Sequence, residues 1–418
     1  MVPAQKVREL LTLMARKPDD AVTLALGRDM CQRLGSGALM TGQIVQLGTT
    51  YVLTVAAESC ATGDEIGREQ AQAAGKDDVL HALGTALSSM RGRLGESLPS
   101  IHAHDKPLAE ATTSSLGALK SFSLGDRERG RGNDPGSVPF YEAAIRQDPD
   151  FALAYARLGT VYSNTGEDAK ALDAYKEAYR RRERASEREQ FYIDAHYFTS
   201  VEANLARASQ MYELWRQAYP HDYVPVHNLG TIYLEAGEPE RALQAFRDAI
   251  ALNPRNPLSR GAAAALLMAL GRFAEARRTA ETQLADLGES APPRLTLYTL
   301  DYLEGNRADM AEQARHLHGT PSDLERAATD LGIAAYEGRF AALDAAMPSF
   351  LQQAETQGRV GYGRSRLADL LLVRALAGFT RDTRARAKEV LSSKPSDDST
   401  LGSPLRWRSP ATRRAPAR

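Results

Sequence analysis

An internal repeat between residues 151 and 254 constrains this fold more than any other feature of the sequence. Two blocks of small and aromatic residues inside it have the same internal spacing. The first block consists of Tyr155, Leu158, Gly159, Tyr162, Gly166, Ala171, Tyr175 and Ala178, and the second of Val226, Leu229, Gly230, Tyr233, Gly237, Ala242, Phe246 and Ala249. A unit of about 34 residues is typical of a pair of antiparallel helices. One such pair cannot bury its apolar side alone, so we expect neighbouring pairs to stack.

The same period continues on both sides of these blocks. The aromatic residue of the second helix recurs at Tyr141, Tyr175, Tyr212 and Phe246, in steps of 34, 37 and 34 residues. The turn residue recurs at Gly132, Gly166, Ala203, Gly237, Gly271 and Gly305, and Gly338 marks one further unit. The longer step predicts a three-residue insertion in the charged stretch 180–188. After residue 285 the pattern weakens, although 291–318 and 324–352 keep helical spacing.

Each repeated position has a physical role. Small residues such as Gly230 and Ala242 let two helices approach closely, and aromatic residues such as Phe246 fill the gap to the next helix. Gly166 and Gly237 permit the positive φ of a tight turn. The repeat therefore predicts both the helices and the places where they turn.

The first hundred residues follow a different pattern. Helices are predicted over 21–34 and 79–95, and strands over 38–46, 51–55 and 65–74. These elements predict a small α+β domain with a three-stranded antiparallel meander. Three strands are few, and the region begins on a helix. We therefore expect that the chain lacks a first strand or starts inside the domain.

The complete prediction is a mainly α protein, in which a helix-hairpin superhelix follows the small α+β domain. Its boundaries are 1–96 for the α+β domain, 97–115 for a linker, 116–290 for the repeat array, 291–391 for degenerate helical repeats, and 392–418 for a disordered basic tail.

Charge and composition exclude several classes of protein. The formal net charge is -1, so nothing in the charge balance indicates nucleic acid or an anionic membrane. No run of 18 apolar residues and no signal peptide is visible, so the sequence as written predicts a cytoplasmic protein without a membrane span.

Reactive motifs are scarce in this sequence. It has no phosphate-binding loop, no zinc-protease or hydrolase motif and no kinase motif. We therefore predict no enzyme activity, no catalytic residue, no cofactor and no metal site. Cys31 and Cys60 are too few for a structural zinc site. Their positions leave two interpretations open, namely buried thiols or one disulfide.

The first helices of a stacked array line its concave face, and this face is the predicted binding surface. The repeat register places these residues in the groove: Leu153, Ala156, Thr160, Asn164, Val224, His227, Thr231 and Leu234. Most are small or moderately polar, which leaves room for a peptide. We therefore expect a protein or peptide partner, with the oligomeric state undetermined.

Residues 116–285 are identified as tetratricopeptide repeats because eight positions per unit recur in register. The segment 35–84 resembles the TolB N-terminal and flagellar FlgO-type domains. With 111–125 and the repeats that follow, the layout looks like the sensor half of bacterial eukaryotic-like serine/threonine protein kinases. That resemblance implies a periplasmic or extracellular location, which would favour the Cys31–Cys60 disulfide. The kinase domain itself is absent from the sequence.

Three functions follow as hypotheses. The first is a scaffold or sensor half that binds a peptide or protein. The second is a fragment of a kinase or transcriptional regulator that acts through a separate output domain. The third is an assembly protein that associates with itself through the array.

Overall fold

The structure, a computed structural model, describes residues 20–95, 112–254, 256–287, 291–320, 322–379 and 383–387, with single positions between 7 and 17. Most of the predicted linker and the whole predicted tail lie outside the described residues. The chain divides into two compact units. Unit 1 contains the chain up to Leu158 together with Ala174–His196. Unit 2 contains Gly159–Asp173 and the chain from Tyr197 onward.

The α+β region belongs to unit 1. Its elements are α1 (Leu24–Arg33), β1 (Ala38–Leu47), β2 (Thr50–Ser59), β3 (Glu65–Ala73) and α2 (Val79–Arg93), with a short 3-10 turn at Lys76–Asp78. The three strands form an antiparallel sheet in the order β1-β2-β3. The predicted meander is confirmed, and β2 continues four residues beyond the strand predicted over 51–55.

Helix α2 forms the core of this region with one face of the sheet. Leu53 of β2 is buried against Val79 and Ala82. Val55 is buried in the same way with Met90. These residues share a face because side chains alternate along a strand. Apolar burial on this face, worth roughly 25 cal/mol per Å², holds α2 on the sheet.

The rest of the described chain is helical. The helices are α3 (Leu116–Gly130), α4 (Asp134–Gln147), α5 (Ala152–Thr165), α6 (Asp168–Arg180), α7 (Glu187–Ser200), α8 (Leu205–Ala218), α9 (Tyr223–Glu235), α10 (Pro239–Leu252), α11 (Pro257–Ala269), α12 (Phe273–Leu287), α13 (Ala291–Glu304), α14 (Arg307–Leu317), α15 (Asp323–Tyr336), α16 (Phe340–Thr356) and α17 (Val360–Leu376). A 3-10 turn at Arg182–Arg184 lies within 180–188, the stretch in which the sequence predicts a three-residue insertion. The prediction of a mainly helical array is confirmed. Helices also continue through the region predicted as degenerate repeats.

Equivalent aromatic residues pack on equivalent glycines in the two units. In unit 1, a Cβ added at Gly125 would lie 2.8 Å from the ring of Tyr141, which is fully buried. In unit 2, a Cβ added at Gly230 would lie 2.5 Å from the ring of Phe246. Phe246 also belongs to a core cluster with Leu266 of the next hairpin. The aromatic side chain thus fills space against both its own hairpin and the following one.

The turn between the two helices of a hairpin has a left-handed residue. Every predicted turn glycine, from Gly132 to Gly338, has a φ between 70° and 80°. Ala203 occupies the same place with a φ of 50°, and among the described residues no other non-glycine has a positive φ. An L-residue in this region is strained by roughly 1–2 kcal/mol, because its Cβ approaches the backbone carbonyl oxygen.

The substitution Ala203→Gly is therefore expected to raise the free energy of unfolding by about 0.5–1 kcal/mol, because relief of strain exceeds the added entropy of the unfolded chain. The matched change Gly237→Ala, at a φ of 77°, is expected to lower it by about 1–2 kcal/mol. Urea unfolding followed by circular dichroism would measure both. If both substitutions changed the free energy of unfolding in the same direction, the left-handed strain assigned to Ala203 would be wrong.

Candidate binding surface

The first helices of unit 2 lie side by side. Helix α11 contacts α13, and α15 contacts α17. Helices α9 and α11 are joined by a hydrogen bond of 3.1 Å between His227 Nδ1 and Ser259 Oγ. We call the solvent-facing side of α9, α11, α13 and α15 the first-helix surface.

The predicted groove residues of α9 differ in their exposure. Thr231 and Leu234 are exposed on the first-helix surface, whereas Val224 and His227 are half-buried. Thr231 and Leu234 are therefore the predicted residues of this helix that a partner could reach most easily.

His227 is held inside the packing of α9 against its neighbours. Its ring lies 5.4 Å from the ring of Phe246, measured between centroids. Burial lowers the pKa of His227 to about 4, so the imidazole is neutral at pH 7. The imidazole of His227 therefore packs on Phe246 and contacts Ser259 as an uncharged group.

The predicted groove residues of α5 are divided between the two units. In unit 1, Leu153 is half-buried and Ala156 is fully buried. In unit 2, Thr160 is half-buried and Asn164 is exposed. Ala156 thus contributes packing and offers no open surface.

Sequence reasoning missed the largest exposed apolar side chains of the first-helix surface. Leu258 of α11 is 64% exposed and Tyr336 of α15 is 82% exposed, and Leu303 of α13 is also exposed. Adding one repeat of about 34 residues to Val224 reaches Leu258, so the same register could have found it. The weak repeat pattern after residue 285 hid the other two.

Open space separates these apolar side chains. A Cβ added at Gly261 of α11 or at Gly332 of α15 would meet no atom within 4 Å. The first-helix surface therefore has exposed apolar side chains and, at Gly261 and Gly332, shallow recesses where a glycine has no side chain. Apolar side chains of a partner can pack on such a surface.

Unit 1 contains a polar cluster on its first helices. Arg157 of α5 lies 3.6 Å from Asp126 of α3, and its guanidinium lies 4.6 Å from the ring centroid of Tyr192 in α7. Arg129 lies 3.5 Å from Asp134. The Nε atoms of both arginines are buried and have no hydrogen-bond partner among the described residues.

The charges of this polar cluster are paired, and its side chains are partly buried. Each arginine faces an aspartate, so the cluster carries little net charge. Burial, reinforced by repulsion from Arg157 and Arg129, lowers the pKa of His196 to about 4. Because Arg157 contacts both Asp126 of α3 and Tyr192 of α7, the cluster connects three first helices of unit 1.

A cleft of about 510 Å³ lies among α14, α15 and α16. Met310, Leu331 and Phe350 contribute apolar lining, and Arg326 and Asp330 also line it. Arg326 Nη1 donates to Asp330 at 2.5 Å, so these two charges neutralise each other.

The cysteines that the sequence left unassigned lie together in unit 1. The Cα atoms of Cys31 and Cys60 are 5.7 Å apart and their sulfur atoms are in bonding contact, within the usual range for a disulfide. We propose this pairing as a disulfide that ties the end of α1 to the end of β2.

The described residues contain neither a candidate metal site nor a membrane span. No group of three or more His, Cys, Asp or Glu side chains there could hold a metal ion. Of the helices in that part of the chain, none is long and apolar enough to cross a membrane.

Comparison with known proteins identifies the repeats. Two family models, both described as tetratricopeptide repeat, match residues 140–173 and 233–293. No curated protein matches the chain. The similar solved structures include PilF of Pseudomonas aeruginosa, at 22% identity over 50% of this chain and 96% of that chain, with a TM-score of 0.33. A tetratricopeptide protein of Parabacteroides merdae is 15% identical over 62% of this chain and 99% of that chain, with a TM-score of 0.37.

Proposed function

We propose that this protein is a non-catalytic scaffold whose tetratricopeptide repeats bind a partner segment on the first-helix surface of unit 2. The proposal is supported by the matched repeats and, above all, by the exposed apolar residues that recur on successive first helices. The partner segment would be extended or helical, and apolar side chains would anchor it.

The distribution of apolar exposure supports a binding role. A single exposed leucine is normal on a soluble protein, whereas a run of exposed apolar groups marks an interaction surface. Leu234, Leu258, Leu303 and Tyr336 lie on four first helices in succession. Each would gain roughly 25 cal/mol for every Å² of apolar area that a partner covers.

The recesses at Gly261 and Gly332 define the kind of segment that fits. At each of these glycines the space around an added Cβ is free to 4 Å, so an apolar side chain of a partner could approach the helix backbone there. The exposed hydroxyl of Thr231 can hydrogen-bond a partner's backbone. A segment with spaced apolar anchors and few charges is therefore the expected ligand.

The proposal can be tested by selecting peptides from a random library against the full-length protein. The affinity of the selected peptides would then be measured by fluorescence anisotropy. Leu258→Glu and Tyr336→Glu are each expected to weaken binding by about tenfold or more, because a carboxylate replaces an apolar contact.

Leu214→Glu provides the matched control. Leu214 is an exposed leucine on α8, which is a second helix, so this variant should bind as the unchanged protein does. If the selected peptides bind all three variants equally, or if none can be selected, the proposed surface is wrong.

The sensor assignment rests only on the resemblance of residues 35–84 and 111–125 to the exported half of bacterial kinases. We retain a regulatory role as a prediction. Detection of a Cys31–Cys60 disulfide by mass spectrometry of the native protein would support export.

A further inference from the structure

The first strand of the sheet has an unusual composition for an edge strand. In the sheet order β1-β2-β3, β1 pairs with β2 alone, and no strand among the described residues pairs with its other edge. The ten residues of β1 read ALMTGQIVQL and include no charge and no proline. Its pairing with β2 runs from Ala38 to Leu47 without a bulge.

Proteins usually protect a free edge from pairing with another chain by charges, prolines or bulges. The other edge strand, β3, contains Glu65, Arg68 and Glu69. Its pairing with β2 is irregular between Ala57 and Glu58. Both devices are present at β3 and absent from β1, so β1 is the edge open to pairing.

The second half of β1 is also uncovered on its faces. The end of helix α2 lies beside β3, the strand farthest from β1, because Arg93 there contacts Glu69 of β3. Helix α1 reaches β1 near Leu39, whose side chain would lie 3.1 Å from a Cβ added at Gly27. Neither helix covers the stretch from Gly42 to Leu47, and all six residues are exposed. Ile44 is 55% exposed and Leu47 is 63% exposed.

We propose that β1 pairs antiparallel with β1 of a second copy of this chain and forms a continuous six-stranded sheet across a two-fold axis. The absence of charge supports this occupant, because two identical strands brought together meet no like-charge repulsion. In a two-fold dimer the same surface of both copies forms the interface. The free edge of β1 can therefore pair with the same edge of the second copy, and no other surface is needed.

The register follows from the alternation of side chains. A two-fold axis perpendicular to the sheet keeps each face continuous only if it lies midway between one residue of β1 and the same residue of the other copy. When centred on Val45, the pairing places Val45 opposite its copy and Gln43 opposite Leu47 of the other chain. When centred on Ile44, it places Ile44 opposite its copy. Each register places one exposed apolar residue opposite its own copy, Val45 in the first and Ile44 in the second, and surrounds that pair with uncharged side chains.

The test is sedimentation velocity of the full-length protein over a wide concentration range. The unchanged protein should show a reversible equilibrium between monomer and dimer. Val45→Lys should weaken dimerisation by at least about tenfold, because the substitution occurs twice at the interface. The two like charges lie directly opposite each other in the register centred on Val45 and diagonally across the interface in the register centred on Ile44.

Ile66→Lys is the matched control, because Ile66 is an exposed isoleucine of β3. This variant should dimerise as the unchanged protein does. Hydrogen exchange at Gly42–Leu47 should also slow as the protein concentration rises. An unchanged protein that stays monomeric at every concentration would overturn the proposal, and so would a dimer that Val45→Lys leaves intact.

Discussion

Replacement of Gly230 by leucine is expected to lower the free energy of unfolding by about 3 kcal/mol, at the upper end of what overpacking costs. A Cβ at this position would lie 2.5 Å from Cε1 of Phe246 and 2.7 Å from its Cδ1. The ring cannot move aside, because Phe246 is buried in the cluster of Leu243, Ala263 and Leu267. Helices α9 and α10 would therefore have to separate. Urea unfolding followed by circular dichroism measures the change.

The smaller change Gly230→Ala separates two opposing effects. Alanine in place of glycine favours a helix by about 1 kcal/mol, whereas overpacking costs about 1–3 kcal/mol. We expect overpacking to exceed the helix preference, so that the variant is less stable than the unchanged protein.

Gly261→Ala provides the control for this pair. Gly261 also lies within a helix of unit 2, but a Cβ there meets nothing within 4 Å. It should raise stability by about 0.5–1 kcal/mol, because only the helix preference remains. If alanine stabilises both positions, the close approach of Phe246 to Gly230 does not exist in solution.

Replacement of Arg277 by methionine is expected to cost about 3–5 kcal/mol, because it leaves a buried carboxylate without its partner. Asp301 of α13 is 0% exposed, and its Oδ1 accepts a hydrogen bond of 2.7 Å from Arg277 Nη2 of α12. Its Oδ2 has no hydrogen-bond partner among the described residues. Arg277 Nη2 also donates to Glu304. The guanidinium thus holds two helices of successive hairpins together.

A double-mutant cycle with Asp301→Asn tests the cause of this loss. Once the charge of Asp301 is removed, loss of Arg277 should cost much less, which would appear as a coupling energy of about 1–3 kcal/mol. The neighbouring exposed residue supplies a control, since Arg278→Met should change stability by less than about 0.5 kcal/mol. Equal effects of the two methionine variants would contradict the role assigned to the ion pair.

The large architecture could be predicted because its signals are local. A glycine that permits a positive φ marks a turn within its own few residues, which is why Gly132, Gly166 and Gly237 were found correctly. Ala203 was found by spacing alone, against its residue type, and it has the expected left-handed backbone. The α+β meander was predicted for the same reason, from stretches rich in β-branched residues that are separated by short turn signals.

The candidate site was predicted less completely, because exposure depends on neighbours far along the chain. His227 was expected in the groove, but Ser259, 32 residues away, contacts its ring nitrogen. Leu303 and Tyr336 were not expected there, because the repeat pattern weakens after residue 285, whereas Leu258 could have been found one repeat after Val224. Repeat register gives the side of a helix on which a residue lies, and it does not give what covers that side.

The sequence by itself determined the period, the helices, the turns and the order of the strands, because each depends on residues close together in the chain. Only the tertiary structure decided which side chains remain open to a partner. Three features result from contacts, or missing contacts, between separate elements. They are the exposed second half of β1, the buried carboxylate of Asp301 and the recess beside Leu258. Such contacts depend on how whole helices and strands pack, and no spacing within one element encodes them.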